Sequence, residues 1–186
     1  MAKLIYIANV SLDGCIEDAH GEFAWTAPND EVFRFITDLV RPVGTYLYGR
    51  RLYETMAVWE TDHTLSAQSE LMADFATVWQ AADKIVFSTT LRTVSTAKTR
   101  LEPRFDADSV RAMKASVAGD MTVGGSALAA HAIDAGLVDE CHLLVYPVLV
   151  GRGKPAFGGE ARVSLELLED HRFGDGVVYL RYRTQS

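Results

Sequence analysis

Residues 45–54 read TYLYGRRLYE, and the change of pattern inside that stretch decides the architecture. Thr45–Tyr48 is a short aromatic and β-branched run of the kind that fills a buried strand. It passes through Gly49-Arg50-Arg51 into Leu52–Met56, which reads as a helical turn. The same junction recurs downstream. Lys84–Phe87 is an apolar strand ending in Ser88-Thr89-Thr90. Met121–Val123 is a strand followed by Gly124-Gly125-Ser126, which opens a small-residue helix, Ser126–Ala135, closed by Gly136. Strands that feed helices in this way imply a largely parallel sheet with right-handed crossovers.

Working outward, residues 3–11 (KLIYIANVS) form another buried strand, turned by Ser11-Leu12-Asp13-Gly14, and a loop runs on to about Trp25. Asn29 can cap the next helix, where Asp30 and Glu31 suit the positive end of the dipole. Val32, Phe33, Ile36, Leu39 and Val40 form its apolar stripe, and Arg41-Pro42 stops it. Residues 68–82 and Asp108–Val117 read as amphipathic helices, and Glu140–Leu149 as a long strand. After the Gly-rich loop 151–159, strands at about 163–172 and 176–184 meet at Gly174-Asp175-Gly176, a hairpin signal. There is no repeat, low-complexity segment or linker, so the expectation is one α/β domain over residues 1–186, its mostly parallel sheet closed by an antiparallel hairpin.

Bulk properties narrow the function. With 48% hydrophobic and 23% charged residues the chain is an ordinary globular mixture, and a net charge of −7 argues against nucleic-acid binding. Cys15 and Cys141 lie too far apart for a metal spacing or a disulfide framework, and His20, His63, His131, His142 and His171 are scattered, so no metal is assigned. With no signal peptide and no apolar run near the roughly 18 residues needed to span a bilayer, a cytoplasmic protein without membrane partners is expected.

Three strand ends carry the same equipment: glycine for close backbone approach, hydroxyls to donate hydrogen bonds, and arginines that grip phosphate in a fork. Ligands of open parallel sheets bind at the carboxyl ends of strands, where helix N-termini attract anions. Gly49-Arg50-Arg51, Ser88-Thr89-Thr90 and Gly124-Gly125-Ser126 together describe a pyrophosphate site with a 2′-phosphate clamp. The dinucleotide fingerprint G-x-G-x-x-G is missing after the first strand, and Gly151-Arg152-Gly153-Lys154 runs into Pro155, so it is no P-loop.

The order SLDG, Trp25, acidic helix, GRRLYE, STT, GGSAL, GLVDE and YPVLVGRGKPAF resembles the dihydrofolate reductase-like family, and in its later motifs the reductase domain of the riboflavin-pathway deaminase–reductase. The resemblance runs from Lys3 to about Tyr182. It implies a three-layer fold with about eight strands, a mobile loop after the first strand, and a homodimer. It also implies an NADPH-dependent oxidoreductase acting on a small planar heterocycle, either dihydrofolate- or pterin-like or 5-amino-6-ribosylamino-uracil-like. Gly49, Arg50 and Arg51 match the family's phosphate-binding strand end, Ser88 and Thr89 its adenine-side turn, and Gly124, Gly125 and Ser126 its Gly-Gly turn with a cis peptide. Ala8 and Ile16 would flank the nicotinamide. Asn9, Trp25, Phe35, Trp59 and Lys154 would reach the substrate. For the acid the candidates are Glu31, with Phe35 one turn on, and Asp30, with Arg34 there instead; Asp13 matches the loop acid. The zinc signature of a deaminase, H-x-E with P-C-x-x-C, is missing from the chain. A non-catalytic dinucleotide-binding or dimeric scaffold of the same fold is the alternative.

Overall fold

The computed structural model describes residues 1–185, beginning with β1 (Leu4–Ser11) in the interior of the sheet. A short strand β2 (Cys15–Asp18) and a 3-10 turn (Ala24–Thr26) lead to α1 (Asp30–Val40) and β3 (Val43–Gly49). Four helices follow: α2 (Arg50–Met56), α3 (Val58–Thr61), α4 (His63–Ser66) and α5 (Glu70–Ala81). Then come β4 (Asp83–Phe87), β5 (Thr99–Glu102), α6 (Ala107–Ser116), β6 (Asp120–Gly124) and α7 (Ser126–Asp134). The chain closes with β7 (Glu140–Tyr146), β8 (Gly153–Pro155), β9 (Ser164–Arg172) and β10 (Val178–Gln185).

Eight strands make one sheet in the order β5-β4-β3-β6-β1-β7-β10-β9, parallel from β5 to β7 and antiparallel for the last two. Register decides the layers, because paired residues share a face. Ile5 lies opposite Thr122 and Tyr46 opposite the same Thr122, Tyr48 lies opposite Gly124, and Asn9 opposite Leu144. This face packs under α1 and α5, around Val32, Val40, Phe75 and Trp79. The other face carries Leu4, Tyr6, Leu47, Met121 and Val123, packed with Val110 of α6 and Leu128, Ala129 and Ala132 of α7. The result is the expected three-layer mixed sheet.

Local chemistry sets the helix starts. Asn29 Oδ1 accepts from Val32 N at 2.9 Å, Ser69 Oγ from Met72 N at 3.1 Å, and Asp106 Oδ2 from Ser109 N at 3.0 Å. Gly136, at φ +63°, ends α7, and Gly176, at φ +91°, turns the last hairpin. Strand β7 stops at Tyr146 rather than Leu149, since Pro147 has no N–H for the ladder. The segment after β1 carries a ribbon: β2 pairs antiparallel with β8, and Ala156 N donates to Gly14 O at 2.9 Å. No peptide among the described residues is cis; at the Gly124-Gly125 turn the chain bends through Gly125 at φ +91°.

Where β7 begins, a polar cluster is buried under the α1 side of the sheet. Glu140, 4% exposed, accepts from Lys3 Nζ at 2.7 Å, Arg181 Nε at 2.8 Å and His142 Nε2 at 2.9 Å. His142 Nδ1 in turn meets Tyr179 Oη at 3.1 Å. Among the described residues no helix is long and apolar enough to cross a membrane.

Candidate functional site

A cavity of about 700 Å³ opens at the carboxyl ends of β1, β3 and β6, where open parallel sheets bind ligands and at a size that suits a small molecule. Its inner chamber lies between sheet and helices: Ile7, Tyr46, Tyr48 and Leu144 from strands, Ile36 and Val40 from α1, and Phe75 from α5. Its mouth is polar, with Glu17, Arg51, Glu54, Lys154 and the Gly124-Gly125-Ser126 turn. Ala8, Asn9 and Ile16 also line it, so eight of the residues singled out by sequence converge here: Ala8, Asn9, Ile16, Arg51, Gly124, Gly125, Ser126 and Lys154.

The two turn glycines do different work. A Cβ on Gly124 would overlap Leu52 Cδ2 and approach Tyr48 Cδ1 to 3.2 Å, so this glycine lets α2 and β3 close against β6. A Cβ on Gly125 would meet nothing within 4 Å, which leaves its backbone open to a ligand. Gly125 is also the N-cap of α7 and supplies no side-chain cap, so the first amides of that helix keep free donors for an anion.

Beside the mouth, Arg50 follows Gly49 at the start of α2, pairs with Glu54 at 3.1 Å and donates from Nη1 to Thr90 Oγ1 at 2.9 Å. Ser88 Oγ accepts from Thr90 N and Leu91 N, at 3.2 and 3.0 Å, while Thr89 is exposed beside them. The ends of β3 and β4 thus form a basic, hydroxyl-bearing ledge next to the cavity. Arg51 Nη1 reaches Glu17 Oε1 at 3.3 Å, and Lys154 Nζ lies 3.9 Å from the same oxygen. Two cations and the uncapped helix end fit the pyrophosphate of a dinucleotide, and the Arg50 ledge fits a further phosphate.

The expected acids are placed elsewhere. Neither Asp30 nor Glu31 lines the cavity. Both are exposed, and Glu31 Oε2 accepts from Gly174 N at 3.2 Å, at the far hairpin. The reason is the rotation of α1. Val32, Phe35 and Leu39 pack toward β7 and β10, and only the Ile36 and Val40 side meets the cavity. Phe35 therefore stacks on His171 at 5.9 Å and meets Tyr179 edge-on at 4.7 Å instead of walling a substrate. Trp25 meets Tyr146 at 6.2 Å, and Trp59 packs on Phe33 and Phe75 at 5.9 and 4.6 Å; neither borders the cavity. Asp13 is a clasp. Its carboxylate accepts from Ser11 Oγ at 2.6 Å, Gly151 N at 2.8 Å and Val150 N at 3.2 Å, and these bonds, that from Ser11 foremost, hold its pKa below the ordinary range. Such a group accepts hydrogen bonds and is a poor proton donor.

Sequence reading missed Glu17, Glu54 and Tyr46. Glu17 sits on a strand too short to show a period, Glu54 looks like any i,i+4 partner of Arg50, and Tyr46 reads as core.

Comparison with known proteins supplies the lineage. An uncharacterized protein of Bacillus subtilis (strain 168), YyaP, is 28% identical over 182 residues, covering 97% of this chain and 94% of its own. A proposed riboflavin biosynthesis protein from Shewanella sp. PV-4 superposes with a TM-score of 0.78 over 100% of both chains at 22% identity. Dihydrofolate reductase from Enterococcus faecalis, complexed with NADP(H), superposes with a TM-score of 0.67 over 99% of this chain and 97% of its own at 13% identity. At those identities the two structures establish the fold. The RibD C-terminal domain family matches residues 2–179, and the chain belongs to that family.

Proposed function

We propose that the protein is an NADPH-dependent reductase that passes a hydride to a small planar heterocycle. The observation that carries this reading is the union, in one cavity, of an uncapped α7 N-terminus with the cations Arg51 and Lys154 at the mouth and an apolar, aromatic chamber behind them. Its membership of the RibD C-terminal domain family and the NADP(H)-bound neighbour point the same way. Bound there, NADPH supplies the hydride. Arg51, Gly125 and Ser126 hold the pyrophosphate, Arg50, Ser88 and Thr89 hold the adenine-side phosphate, and Ala8 and Ile16 flank the nicotinamide. Positioning donor and acceptor at near-attack distance supplies much of the acceleration.

Within the substrate class, the chamber favours a neutral ring of the ribosylaminouracil kind over a pterin. A pterin's amidine edge calls for a carboxylate, and the two carboxylates at the cavity, Glu17 and Glu54, are both at the mouth and paired with arginines. The same pairing favours, as a second reading, a dinucleotide-binding protein without chemistry.

A homodimer is also proposed. Strand β9 is exposed along nearly its whole length, with Leu165 at 42% and Leu167 at 49%, and an open edge of this kind invites pairing. Sedimentation of the wild type and of Leu167→Arg tests it: a dimer converted to monomer supports the proposal, and a monomeric wild type removes it.

The reductase reading is tested by following oxidation of NADPH with 5-amino-6-ribosylamino-uracil and with dihydrofolate. Turnover of the first supports it as stated, turnover of dihydrofolate alone reverses the substrate preference, and tight NADPH binding without turnover of either supports the second reading.

A further inference from the structure

Tyr46 and Tyr48 stand at i and i+2 on β3, on the same face of the sheet, with rings 5.4 Å apart and 8° from parallel. Both line the cavity, yet their hydroxyls differ. Tyr48 Oη accepts from Trp79 Nε1 at 3.0 Å. Tyr46 is 4% exposed, and its hydroxyl is buried without a hydrogen-bond partner among the described residues. A buried hydroxyl left unpaired costs stability that a phenylalanine of the same shape would not forfeit. The residues that share the chamber with Tyr46 are mostly apolar, Ile7, Ile36, Val40, Phe75 and Leu144, and Thr122, its register partner on β6, makes no hydrogen bond with it. Burial also pushes the Tyr46 phenol well above its ordinary pKa, so it stays protonated and keeps its donor.

An unpartnered donor on a residue that lines the cavity asks for an acceptor on the molecule the cavity binds. We infer that Tyr46 is a specificity-determining residue whose hydroxyl donates a hydrogen bond to a ring carbonyl oxygen of the bound heterocycle. The inference rests on the reductase reading, because it needs a substrate in this chamber. It assigns Tyr46 no part in holding the dinucleotide, whose phosphates lie at the mouth. A site built to hydrogen-bond a ligand discriminates strongly against analogues without the matching group, since the protein's own polar atom is then left unpaired.

The test is Tyr46→Phe, measured three ways: thermal stability of the free protein, affinity for NADPH, and affinity for 5-amino-6-ribosylamino-uracil with NADP⁺ present so that no turnover occurs. The expected result is a melting temperature equal to or above wild type, unchanged NADPH affinity, and roughly five- to tenfold weaker binding of the uracil. Equal uracil affinity in both proteins overturns the inference and leaves the reductase reading intact. So does a lower melting temperature of the variant, which means the hydroxyl already has a partner in the free protein. Wild type that binds NADPH but not the uracil also overturns it, because the chamber then takes no such carbonyl. Wild type that binds neither overturns the reductase reading first and this inference with it.

Discussion

Two polar regions of the one sheet are built to opposite rules. At the start of β7, Glu140, His142, Tyr179, Arg181 and Lys3 saturate one another, and the Glu140 carboxylate alone accepts from three partners. At the carboxyl ends of β1, β3 and β6, donors are left over: the amides that open α7, the Tyr46 hydroxyl and the backbone at Gly125. A saturated network fixes structure, whereas unspent donors around a cavity await a ligand. Burial and charge alone would single out the first region, since Glu140 and His142 are a deeply buried ionisable pair.

The largest effect should come from breaking the saturated region. Glu140→Gln is expected to lose about 2–3 kcal/mol of stability, less than a wholly buried pair would because Arg181 and Lys3 are partly exposed, with NADPH affinity unchanged. Its pH dependence follows from the same contacts. Burial alone would raise the Glu140 carboxyl, but hydrogen bonds from Arg181, Lys3 and His142 bring it down to about 2 from 4.5. That contribution is present above pH 4.5 and is lost as pH falls toward 2. Burial lowers the pKa of His142 below 6.5, so its share is present above pH 6.5 and is likewise lost on acidification. Wild type should therefore lose stability steadily in acid, and Glu140→Gln should show a flatter acid limb in urea titrations.

Gly124→Ala comes next. The overlap with Leu52 should cost about 2 kcal/mol by denaturant titration and shift α2, weakening NADPH binding indirectly. Gly125→Ala should cost about 1 kcal/mol through its positive φ, with a direct loss of dinucleotide affinity because a methyl group enters the open space. Glu31→Gln should be the mildest. Losing the full charge behind one exposed bond to Gly174 N should change stability by less than about 0.5 kcal/mol and leave the turnover rate within about twofold. A large fall in turnover would restore Glu31 to the chemistry and show that α1 turns when substrate binds.

How much of this was legible follows from residue patterns. The strands feeding Gly49, Ser88 and Gly124 announce themselves by apolar runs that end in ligand-type turns, and these placed the sheet and the mouth of the cavity. The rotation of α1 was not legible, because the helix is apolar on two sides: Val32, Phe35 and Leu39 toward the hairpin, Phe33, Ile36 and Val40 toward α5 and the cavity. A stripe that wide does not say which edge meets a ligand. Strands β2 and β8 have four and three residues, too few for a period, so the ribbon that brings Glu17 to Arg51 could be seen only in three dimensions. Tyr46 was hidden for a different reason, since its role depends on the missing partner of one atom.

The central claim is that the uncapped start of α7 and the Arg50 ledge beside it hold a phosphorylated dinucleotide, and calorimetric titration of the wild type and Arg50→Ala with NADPH and NADH tests it most directly. The account predicts NADPH binding at least about tenfold tighter than NADH, about 1.4 kcal/mol, with that preference lost in Arg50→Ala. No binding of either dinucleotide, or a preference that survives Arg50→Ala, would contradict it.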